Sequence, residues 1–127
     1  MQKIILSQSD KKILSEYSEN QKPNESCAIL FGKDNQVVDL FLTKNIEESS
    51  VNFTISNKQL IEGYKIAEEK KLEVVGIFHS HPNSDAFPSD TDKKFIISSI
   101  SSSCIIIGMI GLIILAIYEI RNKRKSV

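Results

Sequence analysis

The sequence predicts an α/β fold, a single domain built on a mixed β-sheet with helices on both faces. Three observations carry this reading. Helix-like and strand-like segments alternate along the chain, the order that packs helices against a sheet. A buried-strand pattern, Val74-Val75-Gly76-Ile77-Phe78, runs straight into His79-Ser80-His81-Pro82. The last apolar run, residues 104–118, is dominated by isoleucine and broken by Gly108 and Gly111, as two buried strands joined at a glycine turn would be. At 127 residues the chain is one domain, large enough for a real core.

Taken in order, residues 10–20 read as a helix with Ser9 as its cap. Residues 27–31 and 37–43 read as strands around the turn Gly32-Lys33-Asp34-Asn35, which makes a hairpin. Val51-Asn52-Phe53-Thr54-Ile55 alternates as a further short strand. Residues 57–70 have helical composition, with Leu60, Ile61, Tyr64 and Ala67 at helix-compatible spacing. The strand over 73–81 follows, and Pro82 ends it because proline supplies no ladder donor. A polar, turn-rich loop over 83–88 leads to a helix over 89–99. Residues 104–107 and 112–118 then form interior strands of the sheet. The domain spans 1–120, and residues 121–127 are a basic, solvated tail.

Composition narrows the functional classes. Sixteen basic residues balance 16 acidic ones, so no global field argues for nucleic acid. Cys27 and Cys104 stand alone in apolar runs and read as reduced core residues of a reducing compartment. The N-terminus lacks the apolar core of a secretory signal, so the expected location is cytoplasmic. The rival reading is a membrane anchor. No charged residue occurs from Phe95 to Tyr118, and Arg121-Asn122-Lys123-Arg124-Lys125 follows, the outline of a membrane helix with a basic flank. Five serines between Ser98 and Ser103 dilute that run, and its purely apolar part is 15 residues. A span needs ~17–25. Buried strands are the favoured reading.

The chain has two histidines, and both fall in one tripeptide. Side chains at i and i+2 of a strand share a face, so His79 and His81 can converge on one metal ion. Asp92 lies beyond them, with ten residues between it and His81, and Ser89 stands three before it. Two imidazoles and a carboxylate leave the fourth tetrahedral position open, which is the layout of a catalytic zinc rather than a structural one. Each residue also has a plainer reading. Ser89 and Asp92 fit a helix N-terminus, and Asp85, Asp90, Glu16 and Glu19 are competing carboxylates. Ser80 faces away from the two histidines.

The HxHx10D spacing, with Pro82 after the pair and SxxD at the far end, resembles the JAMM (MPN-plus) zinc metalloproteases. Asn24-Glu25-Ser26-Cys27-Ala28-Ile29-Leu30-Phe31-Gly32 is similar to that family's helix-to-strand junction, with Ala28 where glycine is usual. The resemblance covers roughly residues 25–118 and implies a JAMM/MPN-like, cytidine-deaminase-like domain. It also implies Zn2+ held by His79, His81 and Asp92. Glu25 would be the general base and Ser89 the donor to the oxyanion. Family members cleave isopeptide bonds to ubiquitin or ubiquitin-like modifiers, or trim small sulfur-carrier proteins. The absence of room for a long insertion after the metal segment resembles the compact prokaryotic members. A ubiquitin-like modifier or sulfur carrier is therefore the expected substrate. A membrane-anchored peptidase and an inactive interaction scaffold are the alternatives.

Overall fold

The computed structural model describes residues 4–84, 105–109 and 112–116. Among them the elements are α1 (Gln8–Gln21), β1 (Cys27–Lys33), β2 (Gln36–Thr43), α2 (Asn57–Glu69), β3 (Glu73–Ser80), β4 (Ile105–Met109) and β5 (Leu112–Ala116). The strands form one sheet in the order β2-β1-β3-β5-β4. Every strand pair is antiparallel. Among the described residues a parallel contact occurs as an isolated one-residue bridge from Ile5 to Gln36, outside the strand pairings. It is held by Ile5 N–H on Asn35 O at 2.8 Å and Val37 N–H on Ile5 O at 3.0 Å.

Local chemistry sets the element ends. Ser7 caps α1, its Oγ accepting from the Asp10 amide at 3.0 Å, and Asp10 sits favourably in the first turn. The cap thus falls two residues before the expected Ser9, whose hydroxyl instead meets Ser7 Oγ. Ser56 caps α2 through the Gln59 amide at 3.2 Å. The β1–β2 turn is tighter than the four residues read from sequence: both strands extend inward until Asp34 and Asn35 remain, with Asp34 at φ 54°. Asp tolerates that left-handed backbone better than most residues. Gly32 is required by close approach, since a Cβ there would stand 1.9 Å from Gln36 O.

The apolar run of β1 is buried on both faces, and its period of two divides it between two cores. Ala28 and Leu30 pack with Leu14 of α1, together with Ile4, Val37, Val75 and Phe78. Cys27, Ile29 and Phe31 pack with Ala67 of α2, together with Phe53, Ile55 and Ile77. Helices therefore cover the two faces, as expected. In β3, Val75 belongs to the α1 core, while Ile77, two residues on, belongs to the α2 core. The reversal coincides with a register shift: Leu30 pairs with Gly76 and Phe31 with Val74, so Val75 is the extra residue. A bulge re-phases everything beyond it.

Two expectations are corrected. Residues 51–55 form no strand; the segment is irregular, with Phe53 and Ile55 buried in the α2 core and Val51 exposed. Side chains replace ladder partners there, Thr54 N–H bonding Asn45 Oδ1 and Asn52 N–H bonding Ser49 Oγ. The isoleucine-rich run is sheet as expected, but only β5 is interior; β4 is the outer strand among those described. No helix among the described residues is long and apolar enough to cross a membrane. The expected helix over 89–99, Cys104 and the tail over 121–127 lie outside the described residues.

Candidate active site

Glu25 belongs to no regular element. It sits in the short connection between α1 and β1, one residue before Ser26 and two before the strand. His79 is the penultimate residue of β3, and His81 follows one residue past the strand's end. The antiparallel β1–β3 register pairs Cys27 with His79, so the segment leading into β1 passes the end of β3. This topology brings together residues more than 50 positions apart in the sequence. The bulge at Val75 puts His79 on the α2 side, where Phe53 stacks on its ring at 4.4 Å and 18°.

The three side chains converge. Glu25 Oε2 lies 3.6 Å from His79 Nδ1, and Oε1 lies 3.8 Å from His81 Nε2. One ligand atom from each of Glu25, His79 and His81 lies within 4.8 Å of the other two. All three are buried, at 3%, 0% and 7% exposure, so the cluster is not a chance meeting of solvated groups. Ser84 Oγ meets His81 Nδ1 at 3.1 Å. Donation from Nδ1–H to that hydroxyl leaves the Nε2 lone pair facing Glu25.

The donor set fits a zinc ion. His79 and His81 bring two imidazoles together, and the buried Glu25 carboxylate beside them complements the charge of a cation held there. Among the described residues Glu25 Oε2 is buried and receives no hydrogen bond, and such a carboxylate oxygen is costly without a positive partner. The two imidazoles are good zinc donors. Ser89 and Asp92, with the competing Asp85 and Asp90, lie outside the described residues. Glu16 and Glu19 form exposed helix pairs with Lys12 and Lys22, as solvated positions do.

Behind the cluster runs a buried hydroxyl chain. Ser80 Oγ accepts from Ser26 N–H and Ser26 Oγ, both at 2.9 Å, and Ser26 Oγ meets Ser18 Oγ at 3.0 Å. Ser80 thus faces away from the histidines as read from sequence, and it ties β3 to the Glu25 connection. Cys27 is equally buried; Thr43 Oγ1 donates to its Sγ at 3.2 Å, and burial pushes the thiol up to about 11. Asn45, Phe53 and Ser26 escaped the sequence reading. Phe53 left a signal, an aromatic in an alternating segment, but that segment read as a strand.

Residues 8–122 match the family model described as prokaryotic homologs of the JAB domain, and the chain belongs to that family. It is the compact prokaryotic form of the family that the HxHx10D pattern resembles. Over 70 residues the chain is 40% identical to a desampylase from Pyrococcus furiosus, a stretch covering 55% of this chain and 50% of that protein. The match thus spans about half the length of that relative. The solution structure of protein DSY2949 from Desulfitobacterium hafniense superposes with a TM-score of 0.70 over 81% of this chain and 70% of that one. At 22% identity the likeness is one of fold.

Proposed function

We propose that the chain is a zinc-dependent isopeptidase that hydrolyses the amide bond after the C-terminal tail of a ubiquitin-like modifier or sulfur-carrier protein. The observation that carries this reading is the buried convergence of Glu25, His79 and His81 at the end of β3. The stretch 40% identical to a desampylase supports a modifier-directed hydrolase over other members of the family.

His79, His81 and Asp92 would hold the ion, within the one domain that spans 1–120. When bound, zinc supplies a Lewis acid that lowers the pKa of water and polarises the scissile carbonyl. Glu25 takes the proton of the attacking water on its carboxylate and returns it to the leaving amine, as base and then acid. Its buried site suits this, because few solvent hydrogen bonds compete for the carboxylate. The Ser89 hydroxyl donates to the developing oxyanion. Phe53 and Ser84 hold the two imidazole rings in orientation.

The test is cleavage of a modifier joined through its C-terminal glycine to a lysine-bearing reporter, read by mass spectrometry. Wild type should release the intact modifier, and Glu25→Gln should lower turnover by about 100-fold or more. Equal turnover by the two proteins would remove Glu25 from the reaction. No turnover by zinc-loaded wild type on any ubiquitin-like substrate would overturn the proposed activity.

A further inference from the structure

We propose that Asn45 is the positioning residue of this site: its carboxamide fixes the backbone of Glu25 and so sets where the carboxylate stands between His79 and His81. The inference rests on the role given above to Glu25. Glu25 lies between α1 and β1, so no ladder or helix bond holds it. Its two backbone groups both end on the connection between β2 and α2. The Glu25 carbonyl accepts from Asn45 Nδ2 at 3.1 Å, and its amide donates to Ser49 O at 2.8 Å.

Asn45 uses its whole hydrogen-bonding capacity in this one place. Besides Glu25 O, Nδ2 donates to Asn52 O at 2.9 Å and reaches Ser49 O at 3.5 Å. Oδ1 accepts from Glu47 N–H and Thr54 N–H, each at 3.1 Å. The residue is 7% exposed, so water cannot readily replace these bonds. Asn45 therefore folds residues 45–54 around itself and clamps that fold to Glu25. The same segment carries Phe53, whose ring lies on His79. A single carboxamide thereby connects the proposed base with the wall of the imidazole beside it. Among the described residues Oε2 of Glu25 has no hydrogen bond, so the backbone anchor contributes to where it stands between the two imidazoles.

Asn45→Asp separates the two halves of this role: the acceptors for Glu47 and Thr54 remain, while the donors to Glu25 and Asn52 are lost. Asn45→Ala is the companion variant, since it buries no charge. Amide exchange followed by NMR should show the Glu25 amide exchanging about 10-fold faster or more in either variant, because its acceptor, Ser49 O, belongs to the connection that Asn45 folds and clamps to Glu25. The β3 amides of Ile77 and Phe78 should keep their wild-type protection. On the modifier fusion, kcat should fall about 10-fold or more with KM little changed, because the substrate contacts survive and the proton carrier is misplaced. In wild type the Asn45 Nδ2 protons should exchange slowly. Fast exchange of those protons would overturn the proposal without any variant. So would unchanged Glu25 protection in both variants, or protection lost evenly across β1 and β3. If zinc-loaded wild type cleaves no modifier, the proposed activity fails, while exchange at Glu25 still decides the role of Asn45.

Discussion

Cys27 pairs in register with His79 and lies two residues beyond Glu25, close enough to raise the question of whether its sulfur takes part. Burial answers it. The thiol is fully enclosed and is pushed from 9.0 up to about 11, burial being the largest cause, so at neutral pH it is a protonated core group and not a thiolate. Iodoacetamide at pH 8 should therefore modify Cys27 about 100-fold more slowly in the folded protein than in urea, as read by peptide mapping. Comparable rates would show that the β1 core is open. At this scale the sequence was unevenly legible. His79, His81 and Ser80 could be assigned to opposite faces because i and i+2 in a strand are local geometry. Glu25 could be picked only by resemblance to a motif. Asn45 could not be picked at all, because its partner Glu25 is 20 positions away and a lone Asn after a strand ordinarily reads as a turn residue.

Among the elements, β1 explains most of the architecture. It lies between β2 and β3 in the sheet, and its two faces seed the two cores. Gly32 is where β1 and β2 come closest, and its missing Cβ is a geometric necessity because the nearest atom is the Gln36 backbone. Gly32→Ala should destabilise the domain by about 1–3 kcal/mol in urea unfolding with m unchanged, as forced overpacking does. A variant as stable as wild type would mean the hairpin can relax without cost. The strands were visible as apolar runs bounded by turn residues, and α2 by apolar residues at helix-compatible spacing. The segment over 51–55 misled for a physical reason. Val51, Phe53 and Ile55 alternate with Asn52 and Thr54 as in a strand, but only Phe53 and Ile55 of the three are buried, and backbone groups there are satisfied by Asn45 and Ser49 side chains. The Val75 bulge left no sequence signal either, although it decides which core the residues after Gly76 face.

Over the whole molecule, the site exists only because the sheet is assembled. Glu25 comes from the connection into β1, the histidines from the end of β3, and the clamp from the connection after β2. β5 then covers the far edge of β3, with Ile113 paired in register to His79. The run over 104–118 that resembled a membrane anchor thus supplies the strand flanking the histidines, and this is why the α/β reading was the sounder one. This composite site sets two buried imidazoles beside a buried carboxylate, an arrangement suited to a bound cation. Metal analysis of the purified protein is the most direct test, comparing wild type with His79→Ala and Glu25→Gln after exchange into zinc-limited buffer. About one zinc per chain is expected in wild type and in Glu25→Gln, which keeps the shape of the site, and a small fraction of that in His79→Ala. Zinc content unchanged by His79→Ala would contradict the metal site on which the proposed chemistry depends.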